Sequence, residues 1–279
     1  MDLMQAKRLV EMALLEDNPW GDVTTNTLIP KDDATLAHLT AKSKSIACGH
    51  DFFKLAFSLV DPATKFEEFY PEGSRVNPGD IVITVEGDTQ SILTAERVAL
   101  NFFCHMSGIA TFTRNIVTLL EGTDTVIADT RKTLPLLRLA QKHAVRVGGG
   151  TNHRMDLSSH VLIKDNHIAA CGGVWGAVTR AKESVSHVIK VEVEVKNLDQ
   201  VREAVDAGAD ILLLDNMTPA QIANVVEIIP ENVITEASGG IDLSNVRDYA
   251  DAGVDVISMG CLTHSVKNAD FSLEFEGSL

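Results

Sequence analysis

The chain has 279 residues, 45% of them hydrophobic, and its 24 Lys plus Arg against 39 Asp plus Glu give a formal net charge of −15. This apolar content fills one large domain or two modest ones and excludes a disordered chain. The acidic balance argues against a general nucleic-acid or anionic-membrane surface, which would repel the chain at long range.

In chain order, the apolar residues Leu3, Ala6, Leu9, Val10, Ala13 and Leu14 recur at helical spacing, and Asp17, Asn18, Pro19 and Gly21 stop that helix. The same opening stretch is charged where a signal peptide needs an apolar core. No apolar run reaches the roughly 18 residues of a membrane helix, so a soluble, cytoplasmic protein is expected. Alternating stretches at Ala34 to Lys42 and Asp80 to Glu86, punctuated by Pro71, Gly73, Pro78 and Gly79, predict hairpins packed on helices. Thr94 to Thr118 returns to helical period. The texture changes near Gly108, which places an α+β domain at 1–108 and a second domain at 109–267, with the tail at 268–279 expected to pack on the first. Cys48, Cys104, Cys171 and Cys261 lie far apart with no CxxC spacing, so reduced, buried thiols are expected rather than disulfides or a structural zinc site.

Beyond Gly108, short aliphatic runs alternate with helical segments: Thr125 to Ala128, Val161 to Ile163, Val188 to Val195, Ile211 to Leu214, Val233 to Thr235 and Val254 to Ser258. Strand-helix alternation of this kind calls for a parallel sheet, and the later spacing is that of βα units in a barrel. Six strands are fewer than eight, so the barrel is expected to be incomplete.

In such a barrel the chemistry sits after the C-terminal ends of the strands. Those ends carry Asp129, Arg131 and Lys132; Lys164, Asp165, Asn166 and His167; Glu192 and Glu194; Asp215 and Asn216; Glu236, Ser238, Gly239 and Gly240; and Gly260 and His264. From Arg131 to His167 seven Lys or Arg face two acids, a local balance of +5, and four of the nine histidines fall there. Lys142 and Arg146 fit a solvated basic helix as well as a site. Arg131, Lys132, Arg154 and Lys164, at strand ends or beside glycines, fit an anion pocket, since guanidinium forks grip carboxylate or phosphate. Glu194 and Asp215 offer hard oxygen ligands for Mg²⁺. Gly148-Gly149-Gly150 and Ser238-Gly239-Gly240 let backbone amides approach a phosphate. The residues by themselves thus predict a polyanionic, phosphorylated substrate handled with Mg²⁺ beside a cationic carboxylate pocket.

The strings DTRKTLPLLR (129–138), GGGTNHR (148–154), LIKDNHI (162–168), VEVEV (191–195), LLLDNM (212–217), EASGGI (236–241) and DVISMGCLTHS (255–265) resemble the quinolinate phosphoribosyltransferase family. LLEDNPWGDVTT (14–25) and AERVALNFFCHMSGIAT (95–111) extend the likeness over the whole chain. The resemblance implies an N-terminal α/β sandwich, an open TIM-like C-terminal α/β barrel, and a homodimer with shared active sites, open to higher assembly. It implies a reaction in which quinolinate and phosphoribosyl pyrophosphate give nicotinate mononucleotide, pyrophosphate and CO₂ with Mg²⁺, in NAD biosynthesis. On that pattern Arg131, His153, Arg154 and Lys164 bind the quinolinate carboxylates, and Arg97 reaches in from the partner subunit. Lys132, Glu194 and Asp215 handle phosphoribosyl pyrophosphate and its Mg²⁺, while Ser238, Gly239, Gly260 and His264 hold the 5′-phosphate.

The family often has Gly where Leu136 stands, Gly at Asp156 and Asp at Ser159, departures that bear on the loops beside Arg131 and Arg154. Three other readings stay open: a related enzyme acting on another aromatic carboxylate, a non-catalytic phosphosugar-binding homologue, and a Schiff-base aldolase using Lys164 or Lys190.

Overall fold

A computed structural model describes residues 2–276, and the last three residues of the tail lie outside it. The chain divides into two compact units. Among the described residues, the first comprises 2–114, 133–149 and 262–276, and the second 115–132 and 150–261. The helical stretch at 133–149, which the sequence places with the barrel, thus groups with the N-terminal elements, as does the C-terminal segment.

In the first unit, helix α1 (Leu3–Asp17) starts at Asp2, whose carboxylate accepts the amides of Met4 and Gln5, and it buries Ala6 and Val10. A short helix α2 (Val23–Leu28) follows. Strands β1 (Ala34–Ala41), β3 (Lys65–Glu68), β5 (Ile81–Asp88) and β12 (Phe271–Phe275) form one antiparallel sheet in the order β12-β1-β5-β3, with a bulge between Leu39 and Thr40. The small strands β2 (Ser45–Ile46) and β4 (Arg75–Val76) pair separately. Two helices carry the buried phenylalanine cluster of this unit: α3 (His50–Val60) and the long α4 (Thr89–Leu119). Phe52 stacks on Phe102 at 4.9 Å, Phe53 meets Phe103 edge-on, and Phe103 in turn meets Phe271 of β12 at 4.9 Å. Such pairs add about 0.5–1.5 kcal/mol each beyond the area they bury.

Helix α5 (Arg138–Val147) also belongs to this unit. It is not the solvated basic helix that its composition allows: Lys142 is fully buried, whereas Arg146 is exposed. Where α5 ends, a Cβ on Gly148 would sit 2.5 Å from Thr113 Cβ and 2.6 Å from the Ala110 carbonyl, so only glycine lets the chain pass there. Just before α5, Leu136 holds φ 66° with its side chain 70% exposed. A left-handed leucine costs roughly 1–2 kcal/mol, partly offset by the flexibility a glycine would add to the unfolded chain. Leu136→Gly is expected to raise Tm by about 1–3 °C in a thermal melt; a lower Tm would show that the exposed side chain packs productively.

All four cysteines are free, but of them only Cys48 is buried. Its neighbours form a cluster that sequence spacing does not reveal, with ligating atoms of Cys48, Glu72 and His143 within 4.8 Å of one another. Glu72 accepts the Gly49 amide at 2.7 Å and faces His143 Nε2 at 2.9 Å. Burial pushes the Glu72 carboxyl up, but the His143 hydrogen bond, the Gly49 amide and the charges of His143 and His50 outweigh it and bring the group down to about 2. A depressed folded-state value stabilises above the unfolded value and is lost as pH falls through the folded one. The contribution of Glu72, on the order of 2 kcal/mol after allowance for its partial exposure, is therefore expected to disappear between about pH 4.5 and pH 2. The Tm difference between wild type and Glu72→Gln should shrink with acidification over that window; a constant difference would contradict the assignment.

The second unit is a parallel six-stranded sheet built from β6 (Val126–Ala128), β7 (Val161–Ile163), β8 (Val191–Val195), β9 (Ile211–Asp215), β10 (Ile234–Ser238) and β11 (Val256–Ser258). Its order is β6-β11-β10-β9-β8-β7, so the first strand pairs with the last, as in a barrel, while β6 and β7 do not pair. The opening expected from six strands lies there, and an isolated bridge of Thr151 to Ala128 extends the sheet by one residue at the β6 edge. Helices α6 (Asp165–Cys171), α7 (Val174–Ser184), α8 (Leu198–Asp206), α9 (Pro219–Val226) and α10 (Val246–Asp251) connect the strands, and α11 (Cys261–His264) follows β11. Among the described residues no helix is long and apolar enough to cross a membrane.

Candidate active site

Strand side chains alternate between faces, so residues two apart share one face. In VEVEV, Val191, Val193 and Val195 are completely buried, and the alternate face carries Glu192 and Glu194. The register then sets neighbours beside them. Glu194 pairs with Leu213 and Leu213 with Glu236; two residues further along, Asp215 pairs with Ser238 and Ser238 with Ser258. These residues line a cavity of about 300 Å³, with Thr130, Arg131, Lys132, His153, Arg154, Leu162 and Lys164 completing its wall.

Of the residues singled out in the sequence, Arg131, Lys132, His153, Arg154, Lys164, Glu194, Asp215 and Ser238 all meet at this cavity. Gly239 follows Ser238 directly, and Gly260 lies two residues past Ser258. Arg97, exposed on α4, and His264, whose Nδ1 lies 2.6 Å from Ser265 Oγ, belong to the first unit and are not among the lining residues.

The cationic side is organised by Asp129, which is fully buried at the end of β6. It accepts the His153 amide at 3.0 Å and the Asn152 side-chain amide at 2.5 Å, fixing the TNHR loop against the strand that leads to Arg131. The Arg154 guanidinium is held below its ordinary range by burial and by the neighbouring Arg131 cation. Like charges gathered in this way favour an anionic ligand that neutralises them. The acidic side is Glu194 and Asp215. Burial and the Asp215 charge push the Glu194 carboxyl up, against the pull of Lys164, whose Nζ lies 3.7 Å away. A carboxylate whose charge is disfavoured by a second carboxylate beside it, both lining the cavity, suits a hard divalent cation.

Beside Asp215, Asn216 adopts φ 56° and donates to the Asp215 carboxylate at 2.8 Å. Gly239 faces this turn with φ 97°, and any Cβ there would collide with the Asn216 amide. The SGG loop therefore needs glycine for both conformation and space, leaving bare backbone beside Ser238.

Below the cationic side lies a group that the sequence does not single out as a unit. His160 Nε2 is 2.7 Å from Glu192, and His153 Nε2 is 3.2 Å from Glu192 and 3.4 Å from Glu236. Burial raises the Glu192 carboxyl, but hydrogen bonds from His153 and His160 outweigh it and leave it lowered. Glu236 moves the other way, to about 7, through burial first and then the Glu192 charge. Glu236, which the sequence places at a strand end without a role, lines the cavity too, as do Ser258, Thr130, Leu162 and Leu213, which it does not mark; the signal available was their two-residue offset from residues with an expected role.

The chain belongs to the quinolinate phosphoribosyl transferase family: models of the N-terminal and C-terminal domains of that family match residues 22–107 and 109–274. It is 44% identical over 278 residues to a probable nicotinate-nucleotide pyrophosphorylase [carboxylating] of Methanocaldococcus jannaschii, covering 96% of each chain. It is 40% identical to the corresponding probable enzyme of Bacillus subtilis, over 98% of this chain and 94% of that one. The solved nicotinate-nucleotide pyrophosphorylase of Francisella tularensis superposes with a TM-score of 0.95 at 40% identity, over 99% of this chain and 98% of that one.

Proposed function

We propose that this chain transfers the phosphoribosyl group of phosphoribosyl pyrophosphate to quinolinate with decarboxylation, giving nicotinate mononucleotide, pyrophosphate and CO₂, as a cytoplasmic step of NAD biosynthesis. The observation that carries this reading is the single cavity in which Arg131, Arg154 and Lys164 gather near the facing acids Glu194 and Asp215. Arg131, Arg154 and Lys164 bind the two ring carboxylates, with His153 beside them, and orient the ring nitrogen toward the anomeric carbon, a proximity effect. That nitrogen already holds a lone pair, so no base is required. Its bond to the sugar forms as the bond to pyrophosphate breaks, and positive charge builds on the ribose. Glu194 and Asp215 stabilise that charge, Lys132 takes up charge on the leaving group, and Ser238, Gly239 and Gly260 receive the 5′-phosphate. Mg²⁺, for which Glu194 and Asp215 are the fitting ligands, would supply further neutralisation of the pyrophosphate.

The working form is proposed to be a homodimer in which Arg97 of one copy completes the quinolinate pocket of the other. Activity should then fall on dilution below the dimer constant. The deciding assay supplies quinolinate, phosphoribosyl pyrophosphate and Mg²⁺, follows nicotinate mononucleotide and pyrophosphate together, and uses nicotinate as the control substrate. Product from quinolinate alone is expected. No product from either substrate with folded protein would overturn the reading.

A further inference from the structure

The reaction proposed above needs a proton that none of the roles assigned so far supplies. When CO₂ leaves the N-ribosylated ring, the electron pair of the broken carbon–carbon bond stays on the ring carbon beside the cationic nitrogen, and that carbon must then be protonated. Resting on that reading of the reaction, we propose that Glu236 is the acid that delivers this proton: its O–H bond breaks, a C–H bond forms at the vacated carbon, and Glu236 is left as a carboxylate that water reprotonates before the next turnover.

The geometry carries the assignment. Glu192 and Glu236 converge on one nitrogen, His153 Nε2, at 3.2 and 3.4 Å. The other ring nitrogen, Nδ1, accepts the Arg154 amide at 2.8 Å, which fixes the ring as a neutral tautomer with its one proton on Nε2. A single N–H cannot satisfy two buried anions, so one of the two carboxyls holds a proton itself. Glu192 is the ionised one, because His160 also bonds to it at 2.7 Å and it has no exposed surface. Glu236 is the neutral one. It is 5% exposed, its Oε1 is a buried atom with no hydrogen-bond partner, and it lines the cavity where Glu192 does not.

The groups facing Glu236 from neighbouring strands and loops are Glu192, His153, Asp129 and the Ser258 hydroxyl. The two acids favour its protonated form, and His153 and Ser258 oppose them. Asp129 is itself held by Asn152 and the His153 amide. The balance leaves the carboxyl near 7, where an acid can both give and regain a proton at physiological pH.

The test is a single-turnover reaction of the full-length protein with quinolinate, phosphoribosyl pyrophosphate and Mg²⁺, quenched and separated by chromatography. In wild type, nicotinate mononucleotide is expected. In Glu236→Gln, pyrophosphate release should persist while the N-ribosylated dicarboxylate accumulates and its conversion slows by about 10²-fold or more. Glu236→Asp, which keeps an acid, should recover part of the loss. Conversion in Glu236→Gln that keeps pace with pyrophosphate release, whether both are fast or both equally slow, overturns the proposal in favour of a solvent proton or a structural role. Should Glu236→Gln fail to fold, wild type decides: the fraction of dicarboxylated nucleotide must rise from about pH 6 to about pH 8.5 as the acid ionises, and a flat fraction overturns the proposal. A wild-type protein that ribosylates nothing would instead refute the proposed function.

Discussion

Arg131→Ala is expected to lower kcat/KM for quinolinate by about 10²- to 10³-fold, corresponding to about 3–4 kcal/mol of lost charge-pair binding. Arg131 and Arg154 both line the cavity, and burial together with the Arg131 charge already disfavours the Arg154 cation. A dianionic ring offsets that effect, so removing one guanidinium forfeits a bidentate contact and leaves one carboxylate desolvated without a partner. Arg131→Lys should recover only part of the loss, because an ammonium keeps the charge but not the fork. Steady-state kinetics with quinolinate as the varied substrate check both variants; unchanged constants in Arg131→Ala would remove Arg131 from the pocket.

Asp215→Asn and Glu194→Gln are each expected to cost about 10²- to 10³-fold in kcat/KM for phosphoribosyl pyrophosphate. The two should differ in pH response. The Glu194 carboxyl is pushed up by burial and by Asp215, so in wild type its ionised form declines on acidification earlier than an ordinary glutamate would. Removing the Asp215 charge lowers that threshold, and the residual activity of Asp215→Asn should persist to lower pH than that of wild type. Its Mg²⁺ dependence should move to higher concentration. Titrations of Mg²⁺ at several pH values test this, and an unaltered Mg²⁺ midpoint in both variants would remove the pair as its ligands.

Much of the second unit is legible from residue order because its signals are local. Each aliphatic run from Val126 to Ser258 becomes a strand within a few residues of where β-branching and chain spacing place it, and the polar residues after each run converge because parallel strands point their C-terminal ends one way. Glu192 and Glu236 are legible as strand-end acids, but their shared partner is not, for a physical reason. VEVEV reads equally well as a strand with one solvated face, and only lateral register shows that both acids reach His153. Lys142 is the converse case, charged in composition yet fully buried, since burial depends on what packs over α5 rather than on α5 itself. Leu136 was visible as a departure from a glycine pattern, while its left-handed backbone required coordinates. The Cys48, Glu72 and His143 cluster joins residues up to 95 positions apart and leaves no spacing signature.

The pairing of β12 with β1 has a consequence for how the molecule is made. Ala37 pairs with Phe275 and Ala41 with Phe271, so the N-terminal sheet is completed by a strand that lies after the whole parallel sheet in chain order. Sequential synthesis delivers every strand of the parallel sheet before Phe271 exists, and those strands lie within 115–132 and 150–261. The first unit therefore begins before the second and is completed after it. Its strands β1 and β5 must wait with one edge open and Phe103 without its Phe271 neighbour, a state in which exposed edges and aromatic surface invite association between nascent chains. Removing β12 should therefore damage yield and solubility more than the loss of one five-residue strand suggests, because it makes that waiting state permanent.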